Sequence, residues 1–276
     1  MIRDKIKIAI RENLLVRFLW YPYARMQLQR KERAYAKSRE SERIRRFQNI
    51  HPNERCFIIG NGPSLRVEDL NRLKGEYTFA TNRIYRLYEN TNWRPTYWMC
   101  VDPYLIRDDY QRIYELKGVR FVSDELLQYD AQTQPDLYLI YNEQPFYIKK
   151  YSSSNPISFS FDCSKKLCAG ETVTYNAIQM AVYMGFTEIY LIGVDHSYSH
   201  MLNAKGKVVV DPSIKDYFGN VKTETYNIQN GIISTKAYAE AKKICEARNI
   251  LIRNATRGGK LKIFERVSFD SLFHEE

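Results

Sequence analysis

No run of about 20 consecutive apolar residues occurs in the 276-residue sequence, so its length pattern excludes a transmembrane helix. Cysteine is scarce and unpatterned: five residues, Cys56, Cys100, Cys163, Cys168 and Cys245, with no CxxC spacing and no paired Cys/His motif. Neither a disulfide framework nor a zinc or other metal site is expected. Cys56, Cys100 and Cys245 lie in apolar runs and read as small core residues. GxGxxG and the GK[ST] of a phosphate loop are both missing, which excludes the two commonest nucleotide fingerprints. With 12 glycines and 9 prolines the chain is neither collagen-like nor low in complexity. No internal repeat is visible, which excludes a solenoid or propeller.

What the chain does have is basic charge, 42 Lys and Arg against 32 Asp and Glu, for a net +10. Such an excess suggests nucleic acid until it is located. Residues 1–50 hold 14 basic and 5 acidic residues; residues 51–276 hold 28 and 27. The body is balanced, nucleic acid is not expected, and the excess belongs to an N-terminal arm. In that arm Ile2, Ile6, Ile10, Leu14, Leu15, Phe18 and Leu19 recur at helical spacing, interrupted by Arg3, Lys5, Lys7, Arg11 and Arg17. Trp20, Tyr21 and Tyr23 follow, then a polybasic stretch from Arg25 to Arg46. This pattern predicts a basic amphipathic helical arm over 1–50, with residues 1–48 lying on an anionic membrane surface. The alternative is a helix that packs on the body or on another subunit of a homo-oligomer. Reduced thiols and the lack of a secretory-type leader predict a cytoplasmic protein, peripheral at the inner face of the membrane.

From Glu54 onward short apolar runs alternate with helical patterns. Cys56–Ile59, Tyr77–Thr81, Tyr97–Val101, Arg120–Val122, Leu137–Tyr141, Ile189–Ile192 and Asn249–Arg253 are predicted strands. Val67–Leu73, Tyr104–Leu116, Thr172–Met184 and Ser234–Arg248 are predicted helices. Alternation of this kind predicts an α/β fold: a single Rossmann-like domain over 51–276 with a mostly parallel sheet. The polar, Ser-rich Lys149–Lys166 is expected to be a lid-like insertion, and Lys205–Lys222 a second long loop with a hairpin at Val208–Val210.

In open parallel sheets ligands bind beyond the carboxyl ends of the strands. The residues following each predicted strand therefore nominate the site. Gly60-Asn61-Gly62-Pro63-Ser64 follows the first and would let backbone approach a phosphate or sugar, with Pro63-Ser64 opening the next helix toward an anion. Asn82 and Asp102 follow the second and third and would bond a ribose or base, unless they only cap a turn. Gly193 through Tyr198 follows Ile192. Of four histidines in the chain, His196 and His200 fall together there, and a histidine is the commonest general base near neutral pH. Asp195 would act as a base, as a ligand, or as a brace for its own loop. Arg257 and Lys260, after the last strand, would neutralise phosphate or meet the acceptor.

Read together, these segments resemble a known group. Phe57-Ile-Ile-Gly-Asn-Gly-Pro-Ser-Leu65 is similar to the nucleotide-binding start of the bacterial sialyltransferases of glycosyltransferase family 42. It is equally similar to the domain-of-unknown-function 115 proteins, which include Maf-type flagellin glycosyltransferases and archaeal 6-hydroxymethylpterin diphosphokinases. Gly185-Phe-Thr-Glu-Ile-Tyr-Leu-Ile-Gly-Val-Asp195 resembles the second block shared by both, and Thr172-Val-Thr174 takes the place of a Thr-Ser-Gly turn. The ending Asn254-Ala-Thr-Arg-Gly-Gly-Lys260, with Val267-Ser-Phe-Asp-Ser-Leu272, looks more like the second group. The resemblance implies a metal-independent, inverting transferase without a bound cofactor, using a nucleotide-sugar co-substrate, a CMP-activated acidic sugar above others. The acceptor would be a glycan or lipid-linked intermediate of a capsule or lipopolysaccharide. Asn61, Asn82, Thr172 and Thr174 would contact the nucleotide, and Tyr198 its phosphate. Two positions depart from the pattern. Asp102 stands where the sialyltransferases carry asparagine, and no histidine occurs near Gly231–Ser234, where their catalytic one lies, so His196 or His200 would substitute. The alternatives are a pterin-like diphosphokinase using ATP and magnesium, and a non-catalytic nucleotide-sugar-binding assembly subunit.

Overall fold

A strand covered on both faces needs apolar side chains at every position, and the apolar runs of this chain become such strands. The computed structural model describes residues 14–129, 132–143, 157–202, 207–214 and 230–273. It opens with α1 (Leu14–Ala36) and α2 (Arg39–Arg45). Then come β1 (Arg55–Ile59), α3 (Val67–Arg72), β2 (Tyr77–Thr81), β3 (Tyr97–Cys100), α4 (Pro103–Glu115), β4 (Val119–Ser123) and β5 (Leu137–Ile140). The short strands β6 (Asn142–Glu143) and β7 (Leu167–Cys168) precede α5 (Val173–Met184) and β8 (Glu188–Ile192). An antiparallel pair, β9 (His200–Leu202) and β10 (Val208–Val210), is followed by α6 (Gly231–Glu246), β11 (Leu251–Asn254) and β12 (Glu265–Arg266).

Eight strands form one sheet in the order β12-β11-β8-β1-β2-β3-β4-β5, every pair parallel. Side chains alternate between its faces with a period of two. Cys56, Ile58, Phe79, Met99 and Phe121 pack toward α5 and α6 on one side. Phe57, Ile59, Ala80, Trp98 and Val122 pack toward α3 and α4 on the other. The result is the expected α/β architecture, with a sheet between two helical layers. Chain order runs from β1 to β5 in one direction, then resumes at β8 and runs to β12 in the other. The reversal lies between β1 and β8, and it opens a crevice beyond their carboxyl ends.

The boundary between arm and body moves back from residue 50. Ile44 and Phe47 are buried in the sheet's first core layer. The Phe47 ring meets Phe121 and Tyr138 edge-on, with centroids at 4.9 and 4.8 Å. The Tyr35 hydroxyl donates to the Leu139 carbonyl at 2.8 Å, and Ser41 Oγ donates to the Ser164 carbonyl at 2.6 Å. Charge located the arm in the sequence, but burial of two apolar side chains at roughly 1.5–3 kcal/mol each binds its second half to the body. Across Leu14–Ala36 apolar residues are spread round the helix instead of gathered on one face, and Pro22 lies inside it. The amphipathic expectation thus fails over that span, and Ile2, Ile6 and Ile10 lie outside the described residues. Among the described residues no helix is long and apolar enough to cross a membrane.

The lid expectation also changes. Residues 149–156 lie outside the described residues, and 157–166 are irregular chain fastened behind α5. There the Ser160 amide donates to Gln179 Oε1 at 2.9 Å, Phe159 meets Tyr175 edge-on, and Cys163 is buried. Of the second loop, 205–206 and 215–222 lie outside the described residues, while Val208–Val210 is the expected hairpin strand. All five cysteines are free and buried. Replacing Phe47 by Ala should cost about 3–5 kcal/mol in urea unfolding, whereas removing residues 1–30 should leave the midpoint almost unchanged.

Candidate functional site

The crevice at the sheet's reversal is a cleft of about 250 Å³, lined by the turns after β1, β2, β3 and β8 and by the start of α5. It depends on two turns lying almost in contact. The Gly60 amide donates to the Ile192 carbonyl at 2.8 Å, and the Gly62 amide donates to the Gly193 carbonyl at 2.9 Å. A Cβ at Gly60 would overlap the Gly193 carbonyl oxygen, and one at Gly62 would overlap the Asp195 carboxylate. These two glycines are therefore needed for close approach.

Asp195 braces this junction. Its Oδ2 accepts from Ser64 Oγ at 2.7 Å and from the Ser64 amide at 3.4 Å. Burial raises its pKa, and the Ser64 bonds offset part of the rise. The brace expected of Asp195 within its own loop is found instead across the junction, on the turn that follows β1. Pro63 and Ser64 do not open a helix: they form a turn, and α3 begins at Val67. The start of α5 lines the cleft, and there Thr172 makes no capping bond to the first amides, an arrangement suited to an anion.

Asn61 Nδ2 donates to the Thr81 carbonyl at 2.8 Å, which orients the amide and leaves Oδ1 as an acceptor. Thr81 Oγ1 in turn donates to the Ile59 carbonyl at 2.9 Å. Asp102 caps α4, accepting from the amides of Tyr104 and Leu105 at 2.9 and 3.4 Å, while still lining the cleft. His196 Nε2 lies 2.7 Å from Thr235 Oγ1 on α6, and burial lowers its pKa. Thr172 Oγ1 lies 3.2 Å from the hydroxyl of Tyr238, also on α6. His200 Nδ1 is 2.8 Å from Ser199 Oγ.

Two independent signs of unspent interaction coincide here. Six buried side-chain polar atoms lack a hydrogen-bond partner among the described residues, and three of them, Asn61 Oδ1, Asn82 Oδ1 and His196 Nδ1, belong to residues lining this cleft. An unmet buried acceptor costs about 1–3 kcal/mol, which a ligand bearing donors would return. Asn82, Glu171 and His196 line the cleft with positive φ, at +48°, +58° and +52°. Strain of this type gathers at functional sites.

The expected residues Gly60, Asn61, Gly62, Asn82, Asp102, Thr172, Thr174, Asp195, His196, Tyr198 and His200 are brought together. Pro63 and Ser64 stand behind the wall. Arg257 and Lys260 do not reach the cleft. The Arg257 guanidinium is held by Asp69 at 2.9 Å and by Asp270 at 2.8 Å, which raises its pKa and locks the chain's end to α3. Lys260 is exposed, and its amide donates to the Asp195 carbonyl at 2.7 Å. Arg83, Glu171, Asn142, Asn176, Thr235 and Tyr238 were not singled out. Arg83 was the readable one, directly after Asn82 at a strand end; the α6 pair carries no local signal.

The sequence matches the family described as 6-hydroxymethylpterin diphosphokinase MptE-like over residues 32–201, more than half of the chain. No curated protein matches it. Among solved structures it is similar to the Maf glycosyltransferase from Magnetospirillum magneticum AMB-1, at 16% identity and a TM-score of 0.49. That alignment covers 88% of this chain and 39% of the other, so this chain spans well under half of that protein. It is also similar to the sialyltransferase CstII from Campylobacter jejuni, in complex with a substrate analogue, cytidine-5'-monophosphate. There the identity is 16%, the TM-score 0.48, and the coverage 79% of this chain and 86% of the other.

Gly62→Ala should lower stability by about 1–3 kcal/mol in urea unfolding, because the methyl group and the Asp195 carboxylate compete for one space. Ser64→Ala should lower it less and raise the Asp195 pKa further, read by carboxylate NMR titration.

Proposed function

This chain belongs to the 6-hydroxymethylpterin diphosphokinase MptE-like family, and we propose that it is a transferase carrying a sugar from a nucleotide-sugar donor to an acceptor hydroxyl. The donor is a CMP-activated acidic sugar, the acceptor a surface glycan or its lipid-linked precursor, and the anomeric centre is inverted. The observation that carries this reading is a half-buried histidine, His196, with its Nδ1 buried and unpartnered among the described residues, beside a glycine cradle at the reversal point of a parallel sheet.

Asn61 and Asn82 offer acceptors to ribose hydroxyls or a base amine, and Asp102 lies beside them. Open amides at the start of α5 and the Tyr198 hydroxyl meet the phosphate. The acceptor oxygen attacks the anomeric carbon, the carbon–oxygen bond to phosphate breaks, and CMP leaves with the electron pair. The acceptor's proton passes to His196. His200, at the same wall, orients the acceptor.

Charge favours this donor. Among the described residues lining the cleft, the carboxylates Asp102, Asp108, Glu171 and Asp195 outnumber one guanidinium, Arg83; Arg83 is paired with Asp109 at 2.8 Å, and Asp108 with Arg107 at 2.8 Å. A CMP-activated acidic sugar brings one phosphate and one carboxylate; a triphosphate carries more charge, which this wall would repel more strongly without added cations. The family's own description favours a second reading, ATP-dependent diphosphate transfer to a pterin-like alcohol. That reaction needs a divalent cation, so turnover retained in EDTA separates the two.

The arm supports a membrane partner. Arg25, Arg30, Lys31, Arg33, Arg45 and Arg46 are exposed, a density of cations that fits anionic headgroups at about 1 kcal/mol each. The full chain should sediment with phosphatidylglycerol vesicles and release at high salt. A chain lacking residues 1–30, which keeps Lys31, Arg33, Arg45 and Arg46, should bind the same vesicles more weakly and release at lower salt while keeping donor hydrolysis.

CMP release from a CMP-sugar should exceed nucleotide release from UDP-sugars; the absence of both CMP release and CMP binding would sink the proposal. His196→Gln should lower kcat by roughly 100-fold or more. Because burial lowers the His196 pKa, its neutral form persists below the usual imidazole range. kcat/KM should begin to fall at a lower pH than an unburied imidazole would set. The same sign makes His196 a destabilising group in acid, where the unfolded chain binds the proton more tightly.

A further inference from the structure

The hydroxyl of Thr235 donates to the carbonyl of Gly231 at 2.6 Å, one turn back along α6. That bond uses the only proton the hydroxyl has. The 2.7 Å contact between Thr235 Oγ1 and His196 Nε2 then has one consistent form, with Nε2–H donating and Oγ1 accepting. A neutral imidazole with its proton on Nε2 carries its lone pair on Nδ1. Nδ1 is the ring atom that is buried without a partner among the described residues.

The ring cannot easily turn over. Tyr198 and Tyr238 meet it edge-on, with centroids at 5.8 and 5.6 Å and interplanar angles of 81° and 79°. A flip would set Cε1 against Thr235 Oγ1 and forfeit the bond. Tyr238 lies one turn after Thr235 on the same helix, so α6 supplies both the partner of Nε2 and one wall of the ring's slot.

We propose that Thr235 is a positioning residue: the chain Gly231 carbonyl–Thr235 hydroxyl–His196 holds the imidazole in its Nε2–H tautomer and reserves Nδ1 as the proton acceptor of the cleft. The tautomer follows from the contacts alone; its effect on turnover rests on the sugar-transfer reading above. In that reaction Nδ1 takes the proton from the acceptor hydroxyl as the acceptor oxygen bonds to the anomeric carbon and the nucleotide leaves. The resulting imidazolium keeps Nε2–H on Thr235, so no second proton has to move. Burial lowers the His196 pKa and so favours the neutral ring ahead of that step.

Nitrogen NMR of the full chain, labelled with 15N-histidine, reads the tautomer directly, with the His196 signals identified by their loss in His196→Asn. The wild type should show a protonated nitrogen at Nε2 and a bare one at Nδ1. Thr235→Val should redistribute the tautomer, and Thr235→Ser should restore it. Turnover of a CMP-sugar should fall roughly 100-fold in kcat for Thr235→Val, with donor KM within about twofold, and should recover in Thr235→Ser. A wild-type ring protonated at Nδ1 overturns the proposal without any variant having to fold. Equal tautomers in wild type and Thr235→Val overturn it as well. A redistributed tautomer with undiminished kcat overturns the catalytic consequence. A wild type that turns over no nucleotide-sugar, yet shows the Nε2–H form, instead counts against the sugar-transfer reading and supports the positioning.

Discussion

Two turns that nearly touch set the geometry on which the rest of the site depends. The amides of Gly60 and Gly62 donate across the sheet's reversal point to the carbonyls of Ile192 and Gly193. Neither glycine has room for a Cβ. From that contact Asp195 reaches back to Ser64, and the next residue, His196, enters the left-handed region of backbone space. A small widening there would move the braced aspartate and the histidine together, because they are adjacent in the chain. The cost of such a junction is acceptable because both strands feeding it are buried on both faces and hydrogen-bonded in register along their length.

The arm and the body answer different physical demands. Exposed cations along α1 and α2 leave the fold's apolar account untouched, yet Ile44 and Phe47 make the end of that same segment part of the core. Lys166 adds a polar tie, bonded to Glu32 of α1 at 3.0 Å and to Glu143 of β6 at 2.8 Å. A cationic surface is thus held at a definite place on the body.

Strands, helices and their order were legible because buried parallel strands are written as apolar runs and surface helices as periodic ones. Tyr77–Thr81 and the ends of Val67–Leu73, Leu137–Tyr141 and Thr172–Met184 differ from the structure by at most one residue. The strand-end rule brought Asn61, Asn82, Asp102 and His196 to one cleft. It failed for Arg257, because a strand end says nothing about which carboxylates pack nearby, and Asp69 and Asp270 come from distant parts of the chain. Thr235 and Tyr238 were invisible for a related reason. Their three-residue spacing marks a shared helix face, but only tertiary packing shows that the face meets His196. The arm's boundary was misplaced because charge marks exposure well and says little about two apolar side chains among many cations.

The sheet's reversal also divides the cleft by inheritance. Asn61, Asn82 and Asp102 hang from β1 to β3, while Asp195, His196 and the α6 pair Thr235 and Tyr238 hang from β8 and the helix that precedes β11. The two groups are joined by the β1–β8 pairing, the glycine junction and the Asp195–Ser64 bonds, and beyond these each is anchored in its own run of strands. Mutations can therefore drift on one side without repacking the other. A fold partitioned this way can be retuned toward new ligands on one side while the wall that carries His196 stays as it was.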